Sequence, residues 1–154
     1  MRVEECHSHG TVHIPLSCNL QDAAKQMAAQ HVGALIVTDM GREDRMVGIV
    51  TDRDIVLGAV AAGRSPTETL VGELMTQGVV TVDETDDIST AMQIMVAQGV
   101  RRLAVLRGES EIVGILSLDD VIDALGHDWS MLTAILRSGQ NRERTGSVQT
   151  RLHV

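Results

Sequence analysis

The chain has 154 residues, of which 44% are hydrophobic, so it can bury the core of one ordinary domain or of two small halves. Its formal net charge of −8 at pH 7 disfavours binding to nucleic-acid backbones and to anionic membranes. Two cysteines are too few for a disulfide framework, and neither a signal peptide nor an apolar run of membrane-spanning length is visible. We therefore expect a cytoplasmic protein that binds no nucleic acid and no membrane.

In chain order, the first half predicts a strand over residues 11–14 and an amphipathic helix after an N-cap at residues 17–19. The apolar side chains of this helix recur at helical spacing. A strand, a polar turn, a second strand and a closing helix follow. These last four elements are predicted over residues 34–37, 39–44, 46–50 and 52–62.

The second half repeats this order, β-α-β-β-α, and aligns with the first almost without gaps. Its helix stripe has the same spacing, after an N-cap at residues 86–87. We divide the chain at the changes in composition, because a polar segment with Gly and Pro is typical of a linker. The predicted units are a first repeat (residues 1–62), a linker (63–70), a second repeat (71–126), an extra amphipathic helix (127–138) and a polar, mobile tail (139–154).

One motif occurs in both halves, as GIVTDRDI at residues 48–55 and as GILSLDDV at residues 114–121. Each copy has a glycine, two aliphatic residues, a hydroxyl residue and, three residues later, an aspartate. The aliphatic residues predict a strand, and the S/T-x-x-D pattern is typical of a helix start. Because the N–H groups of a helix N-terminus attract anions, each copy predicts a candidate nucleotide pocket.

A duplicated β-α-β-β-α unit with a G-h-h-[ST]-x-x-D motif resembles the cystathionine β-synthase (CBS) domain pair. Residues 71–76 (VGELMT) resemble the V-x-x-h-M-T opening of such repeats, and residues 100–105 (VRRLAV) resemble their V-R-[RH]-h-P-V strand. The first repeat departs from that opening at residues 3–8. The resemblance, over residues 3–126, implies an α+β fold of two repeats in pseudo-twofold packing with clefts between them. It also implies association into a flat homodimer.

The resemblance further implies an adenosine-containing regulatory ligand, such as AMP, ADP, ATP, S-adenosylmethionine or NAD. In that case Asp54 and Asp120 accept hydrogen bonds from ribose hydroxyls, while Thr51 and Ser117 hold phosphate at the helix starts. The same four residues also fit a simpler interpretation. S/T-x-x-D forms a capping box, which stabilises a helix by roughly 1 kcal/mol without any ligand.

Three arginines are candidates for binding phosphate, because a guanidinium can hold a phosphate through two hydrogen bonds. Arg53 lies inside the first motif, and we align it with Leu118 in the second, where the charge is missing. Arg101 and Arg102 stand where the first copy has Gly-Ala. We therefore expect two unequal sites, with solvated surface charge as the alternative for each arginine.

Two further groups are weaker candidates. His13 and Thr81, in the first strand of each repeat, are candidates for contacting the base, with ordinary sheet-edge or core positions as the simpler explanation. The types of residue that bind zinc also occur near the N-terminus. Their spacing is unusual and the second copy has no metal ligands at the aligned positions, so we expect no metal. The zinc-type residues are Cys6, His7, His9, His13 and Cys18.

No nucleophile elbow, Walker loop or recognisable catalytic triad is present. The sequence therefore favours a ligand-sensing regulatory protein over an enzyme. The main alternative is a ligand-independent dimerisation and docking module, in which the motifs only cap helices and the C-terminal helix recruits an unknown protein partner.

Overall fold

The computed structural model describes residues 1–10, 12–39 and 42–145. It contains two four-stranded sheets, with strand orders β2-β3-β4-β5 and β6-β7-β8-β1, and confirms the α+β class with two repeats. The strands are β1 (Ser8–His9), β2 (His13–Pro15), β3 (Ala34–Asp39), β4 (Arg42–Thr51), β5 (Thr76–Gln77), β6 (Thr81–Asp83), β7 (Arg102–Arg107) and β8 (Glu111–Ser117). The helices are α1 (Leu20–Gln30), α2 (Asp52–Ile55), α3 (Val71–Leu74), α4 (Ile88–Gln98) and α5 (Leu118–Thr145), with a 3-10 turn at Val3–Glu5 and a π-helical turn at Val56–Val60.

Each repeat is built around a parallel strand pair joined by a helix. In the first repeat β2 pairs with β3 and α1 makes the crossover, and in the second β6 pairs with β7 through α4. An antiparallel hairpin then adds β4 or β8. The N-cap predictions are confirmed, since Asn19 accepts a hydrogen bond from the Asp22 amide (2.9 Å) and Asp87 from the Ser89 amide (2.8 Å).

The two repeats exchange their opening strands. Strand β1 lies at the edge of the second sheet against β8, and β5 lies at the edge of the first sheet against β4. The apolar residues beside these strands follow them, because Val3 is fully buried in the core of the second repeat and Val71 in that of the first. The residues that open each repeat in sequence therefore complete the sheet of the other.

The motif glycines lie where an exchanged strand pairs with the edge of the other sheet. A Cβ atom at Gly114 would collide with the Ser8 carbonyl and the His7 ring, and one at Gly48 would collide with the Thr76 carbonyl. Glycine at these positions therefore allows the exchanged backbone to approach.

A third apolar cluster joins the two repeats. Strands β3 and β8 contribute Ala34, Ile36 and Ile115 to it, together with Val12 and Ala104, and these five residues are almost completely buried. The buried face of α1 is narrower than the apolar stripe in its sequence. In α1 only Leu20, Ala23 and Met27 are buried, whereas Ala24 and Ala28 are exposed.

The C-terminal part of the structure differs from the predicted elements. Helix α5 is continuous from Leu118 to Thr145, so it runs across the predicted boundary at residue 126 and residues 127–138 do not form a separate helix. Gly126 lies in the middle of this helix, where a glycine costs only about 1 kcal/mol relative to alanine. Residues 139–145, which we predicted to be part of a mobile tail, are also helical.

Some predictions fall outside the described residues, namely Thr11 of the first strand, residues 40 and 41 of the first hairpin and the tail beyond 145. The helices that the structure does describe include none with the combined length and apolar character needed to cross a membrane.

Candidate functional site

Both motifs form reciprocal capping boxes. The Thr51 hydroxyl accepts a hydrogen bond from the Asp54 amide (3.1 Å), and Asp54 Oδ2 accepts one from the Thr51 amide (2.9 Å). Ser117 and Asp120 repeat this arrangement at 3.1 and 2.8 Å, and the Ser117 hydroxyl also donates to Asp120 Oδ2 (2.7 Å). The capping interpretation is therefore correct for both copies, and in each box the second carboxylate oxygen has no partner among the described residues.

A cleft of about 310 Å³, the larger cleft, opens beside the second motif. Ser117 and Asp120 line it from one repeat, and the chain leading into β3 lines it from the other. Its apolar surface comes from Val32, Ala34 and Ile115. Its other lining residues are polar or small, namely Ser8, His31, Gly33, Asp52, Arg102 and Asp119.

A second cleft of about 170 Å³, the smaller cleft, opens beside the first motif. Thr51 and Arg53 line it from the first repeat and Arg101 from the second. It shares three lining residues with the larger cleft, so the two form one continuous groove between the repeats. The shared residues are Arg102, Ser117 and Asp119, and Leu118 completes the lining of the smaller cleft.

Charge is distributed unequally along this groove. The smaller cleft has three arginines and one carboxylate, Asp119, whereas the larger cleft has three carboxylates and one arginine, Arg102. A phosphate is therefore favoured at the smaller cleft and disfavoured at the larger one. Groups that donate hydrogen bonds, such as ribose hydroxyls, suit the free carboxylate oxygen of Asp120.

The structure corrects one alignment of the two motifs. Thr51 and Ser117 each precede their helix, so the residue equivalent to Arg53 is Asp119, and Leu118 is equivalent to Asp52. The two sites therefore carry opposite charges at this position, a positive one at Arg53 and a negative one at Asp119. The placement of Arg101 opposite Gly33 is supported, since the Leu118 amide donates to Arg101 O (2.9 Å) and the Asp52 amide to Gly33 O (3.0 Å).

Six of the nine predicted site residues line the groove. They are Thr51, Arg53, Arg101, Arg102, Ser117 and Asp120. Asp54, His13 and Thr81 line neither cleft, and the His13 carbonyl accepts a hydrogen bond from the Gln26 amide group instead (2.9 Å). Sequence reasoning missed Ser8, His31 and Asp52. Asp52 could have been found, because it lies inside the motif, but Ser8 reaches the cleft only through the exchange of β1.

The rings of His7 and His9 are adjacent, with centroids 4.2 Å apart, but the two cysteines lie in different repeats. Cys6 packs against the core of the second repeat and Cys18 against that of the first. Burial raises the pKa of both thiols, and the Glu5 carboxylate adds to the rise in the pKa of Cys6. A raised pKa disfavours the thiolate form that binds metals. Within the described ranges, no three His, Cys, Asp or Glu side chains are grouped so that they could hold a metal ion.

Comparison with known proteins gives consistent matches. The family model "CBS domain" matches residues 3–59 and again residues 71–127. The CBS domain-containing protein CBSX3, mitochondrial, from Arabidopsis thaliana is 34% identical over 109 residues, which are 70% of this chain and 52% of that protein. The chain spans about half the length of the first curated relatives that it matches.

Two solved structures are similar over most of the chain. Hypoxic Response Protein I, crystallised with two coordinated zinc ions, has a TM-score of 0.63 and 29% identity over 80% of this chain and 98% of that one. The CBS domain protein PAE2072 from Pyrobaculum aerophilum, complexed with AMP, has a TM-score of 0.66 and 28% identity over 78% of this chain and 89% of that one.

Proposed function

Because this chain belongs to the CBS-domain family and carries two copies of the domain, we propose that it is a regulatory module that binds an adenosine-containing ligand in the groove between its repeats. The observation that carries the proposal is the continuous groove, which is lined by the starts of both motif helices and by three arginines. The AMP bound to the similar protein PAE2072 supports the same ligand class. We further propose that the protein is cytoplasmic and not an enzyme.

The chemistry of the groove suggests an orientation for the ligand. The phosphate lies in the smaller cleft between Arg53 and Arg101, where a positive charge is concentrated. The ribose lies near Asp120, and the base packs against the aliphatic residues of the larger cleft. A monophosphate fits this arrangement better than a triphosphate, because the carboxylates of the larger cleft would repel additional negative charge.

Regulation follows from the position of the groove. A ligand that contacts both repeats stabilises whichever relative arrangement of the repeats it fits better, and thereby shifts the population of states. A partner protein or a second copy of the chain that contacts both repeats would sense this shift. We propose a homodimer as the regulated assembly, since Val96 on α4 and Val60 in the π-helical turn are highly exposed (84% and 71%).

Thermal unfolding with adenosine, AMP, ADP, ATP, S-adenosylmethionine and NAD tests the proposal. A true ligand at about 100 times its Kd adds roughly 2.7 kcal/mol, which corresponds to a rise in Tm of about 5–10 °C for a chain of this size. We expect AMP to raise Tm more than adenosine. The absence of any shift with all six compounds would refute the proposal.

Two arginine variants separate phosphate binding from a general effect of charge. The double variant Arg53→Gln, Arg101→Gln should reduce the AMP shift to that of adenosine, because the phosphate loses its partners. The matched control is Arg107→Gln, since Arg107 is exposed and pairs with Glu84 (2.6 Å) outside both clefts. The control should retain the full AMP shift.

The second candidate function is a ligand-independent dimerisation and docking module. It is favoured by the capping boxes, which satisfy both motifs without a ligand. In that case none of the six compounds changes Tm, and the variant Asp120→Asn loses stability through its helix cap alone.

A further inference from the structure

The second half of helix α5, here called its exposed half, buries no residue against the part of the chain that the structure describes. Every residue from 126 to 141 is exposed. An isolated helix of this length is only marginally stable in water, so a helix that leaves the body of a protein generally needs a packed face. Six large apolar side chains are 53–68% exposed along this helix, namely Ile122, Trp129, Met131, Leu132, Ile135 and Leu136.

Four of these six residues lie in a stripe with the spacing of a coiled-coil seam. Successive positions alternate in steps of four and three residues, and the seam begins inside the fold, where Leu118 and Leu125 pack against the core of the second repeat. The stripe that holds α5 on its own domain thus continues beyond the edge of that domain. The seam consists of Leu118, Ile122, Leu125, Trp129, Leu132, Leu136 and Gly139.

The charges of α5 indicate the partner and its direction. Residues 118–128 contain four aspartates and no Lys or Arg, whereas residues 137–145 contain three arginines and one glutamate. A parallel pair of such helices would place like charges side by side. An antiparallel pair places the acidic half of each helix beside the basic half of the other.

We propose that the exposed half of α5 pairs in an antiparallel direction with the same half of α5 in a second copy of this chain. The seam fits itself in this direction, because the register that places Leu132 opposite Leu136 also places Trp129 opposite Gly139. A Cβ atom at Gly139 would meet nothing within 4 Å in the single chain, so the space opposite the indole is open.

The size of the seam is sufficient for such a pair. Burying most of the seam side chains Trp129, Leu132 and Leu136, with the residues that flank them, on each of two helices removes on the order of 1,000 Å² from water, near the lower limit for specific interfaces. This helix pair is distinct from an association through the faces of α4 and the π-helical turn. Two copies joined in both ways would be linked at two separate surfaces.

The fluorescence of the unmodified chain measures this pairing, because Trp129 is its only Trp, Tyr or Phe residue. In the paired state the Trp129 emission should be shifted to shorter wavelength and protected from acrylamide. Over a dilution series it should change to the emission of a water-exposed indole. The variant Leu132→Asp, Leu136→Asp should show exposed emission at every concentration.

The matched control places the same charges on the opposite face of the same helix, as Ala134→Asp, Ser138→Asp. It should retain the concentration dependence of the unmodified chain. Two results would overturn the proposal. One is a Trp129 that is exposed at all concentrations, and the other is a protected Trp129 that does not change on dilution, which would mean that its own chain covers it.

The direction is tested by disulfide formation in the variant Cys6→Ser, Cys18→Ser. Chains with Gly126→Cys mixed with chains with Gln140→Cys should form the mixed disulfide, since the proposed register places these two positions across the seam. Disulfides between identical positions would mean a parallel pair and would refute the antiparallel arrangement.

Discussion

Replacing the motif glycine of the second repeat by alanine should loosen the exchanged N-terminal strand. A methyl group at Gly114 would collide with the Ser8 carbonyl, which belongs to the backbone of β1 and cannot move without disturbing the strand pairing His9–Gly114. Overpacking of this kind costs about 1–3 kcal/mol. The alanine also restricts the unfolded chain, which returns about 0.4–1 kcal/mol. We therefore expect Gly114→Ala to lower the free energy of unfolding by about 1–2 kcal/mol.

Urea unfolding followed by circular dichroism measures this loss, and hydrogen exchange should show faster exchange of the β1 amides. Gly126→Ala is the matched control, because Gly126 is helical and a Cβ atom there would meet nothing within 4 Å. That variant should gain up to about 1 kcal/mol from helix propensity. If Gly114→Ala is as stable as the unmodified chain, the close approach of β1 is not what requires glycine, and the reasoning is refuted.

Three other variants test the fold. Asn19→Ala removes the cap from the Asp22 amide and should cost about 1 kcal/mol in urea unfolding. Leu103→Ala removes a fully buried side chain from the core of the second repeat and should cost about 2–5 kcal/mol. A hydrogen bond from the Leu70 amide holds the pKa of Glu73 below its ordinary value. The ionised carboxylate therefore stabilises the fold at pH values above the ordinary pKa. This stabilisation is lost as the pH falls through the lowered pKa. The unfolding free energy of Glu73→Gln, measured between about pH 6 and pH 3 (roughly 1.5 units on either side of the ordinary value), should therefore lack that part of the acid dependence.

The local elements could be predicted because local chemistry determines them. The stripe at Leu20, Ala23 and Met27 and the caps Asn19 and Asp87 lie within one or two turns of the helix that they define. The two capping boxes were predictable for the same reason. Their duplication in register also predicts the division of the chain into two repeats.

The exchange of β1 and β5 could not be predicted in this way. Whether a short strand such as Ser8–His9 joins its own sheet or the neighbouring one depends on contacts more than one hundred residues apart in sequence, such as that with Gly114. The same exchange explains why Ser8 was missed as a lining residue of the larger cleft. The end of α5 was mispredicted for another reason, since Gly126 is a helix breaker by propensity but continues a helix here.

The exchanged strands also bear on how such a molecule could have arisen. A half-length precursor with one copy of the motif would lack an edge strand and would present an uncovered apolar residue at the position that Val3 or Val71 now occupies. A second identical molecule could supply the missing edge strand and cover the apolar residue, if the two molecules exchanged their opening strands. Fusion of two such genes would then preserve the swap within a single polypeptide, after which substitutions could give the two halves opposite charges, as at Arg53 and Asp119.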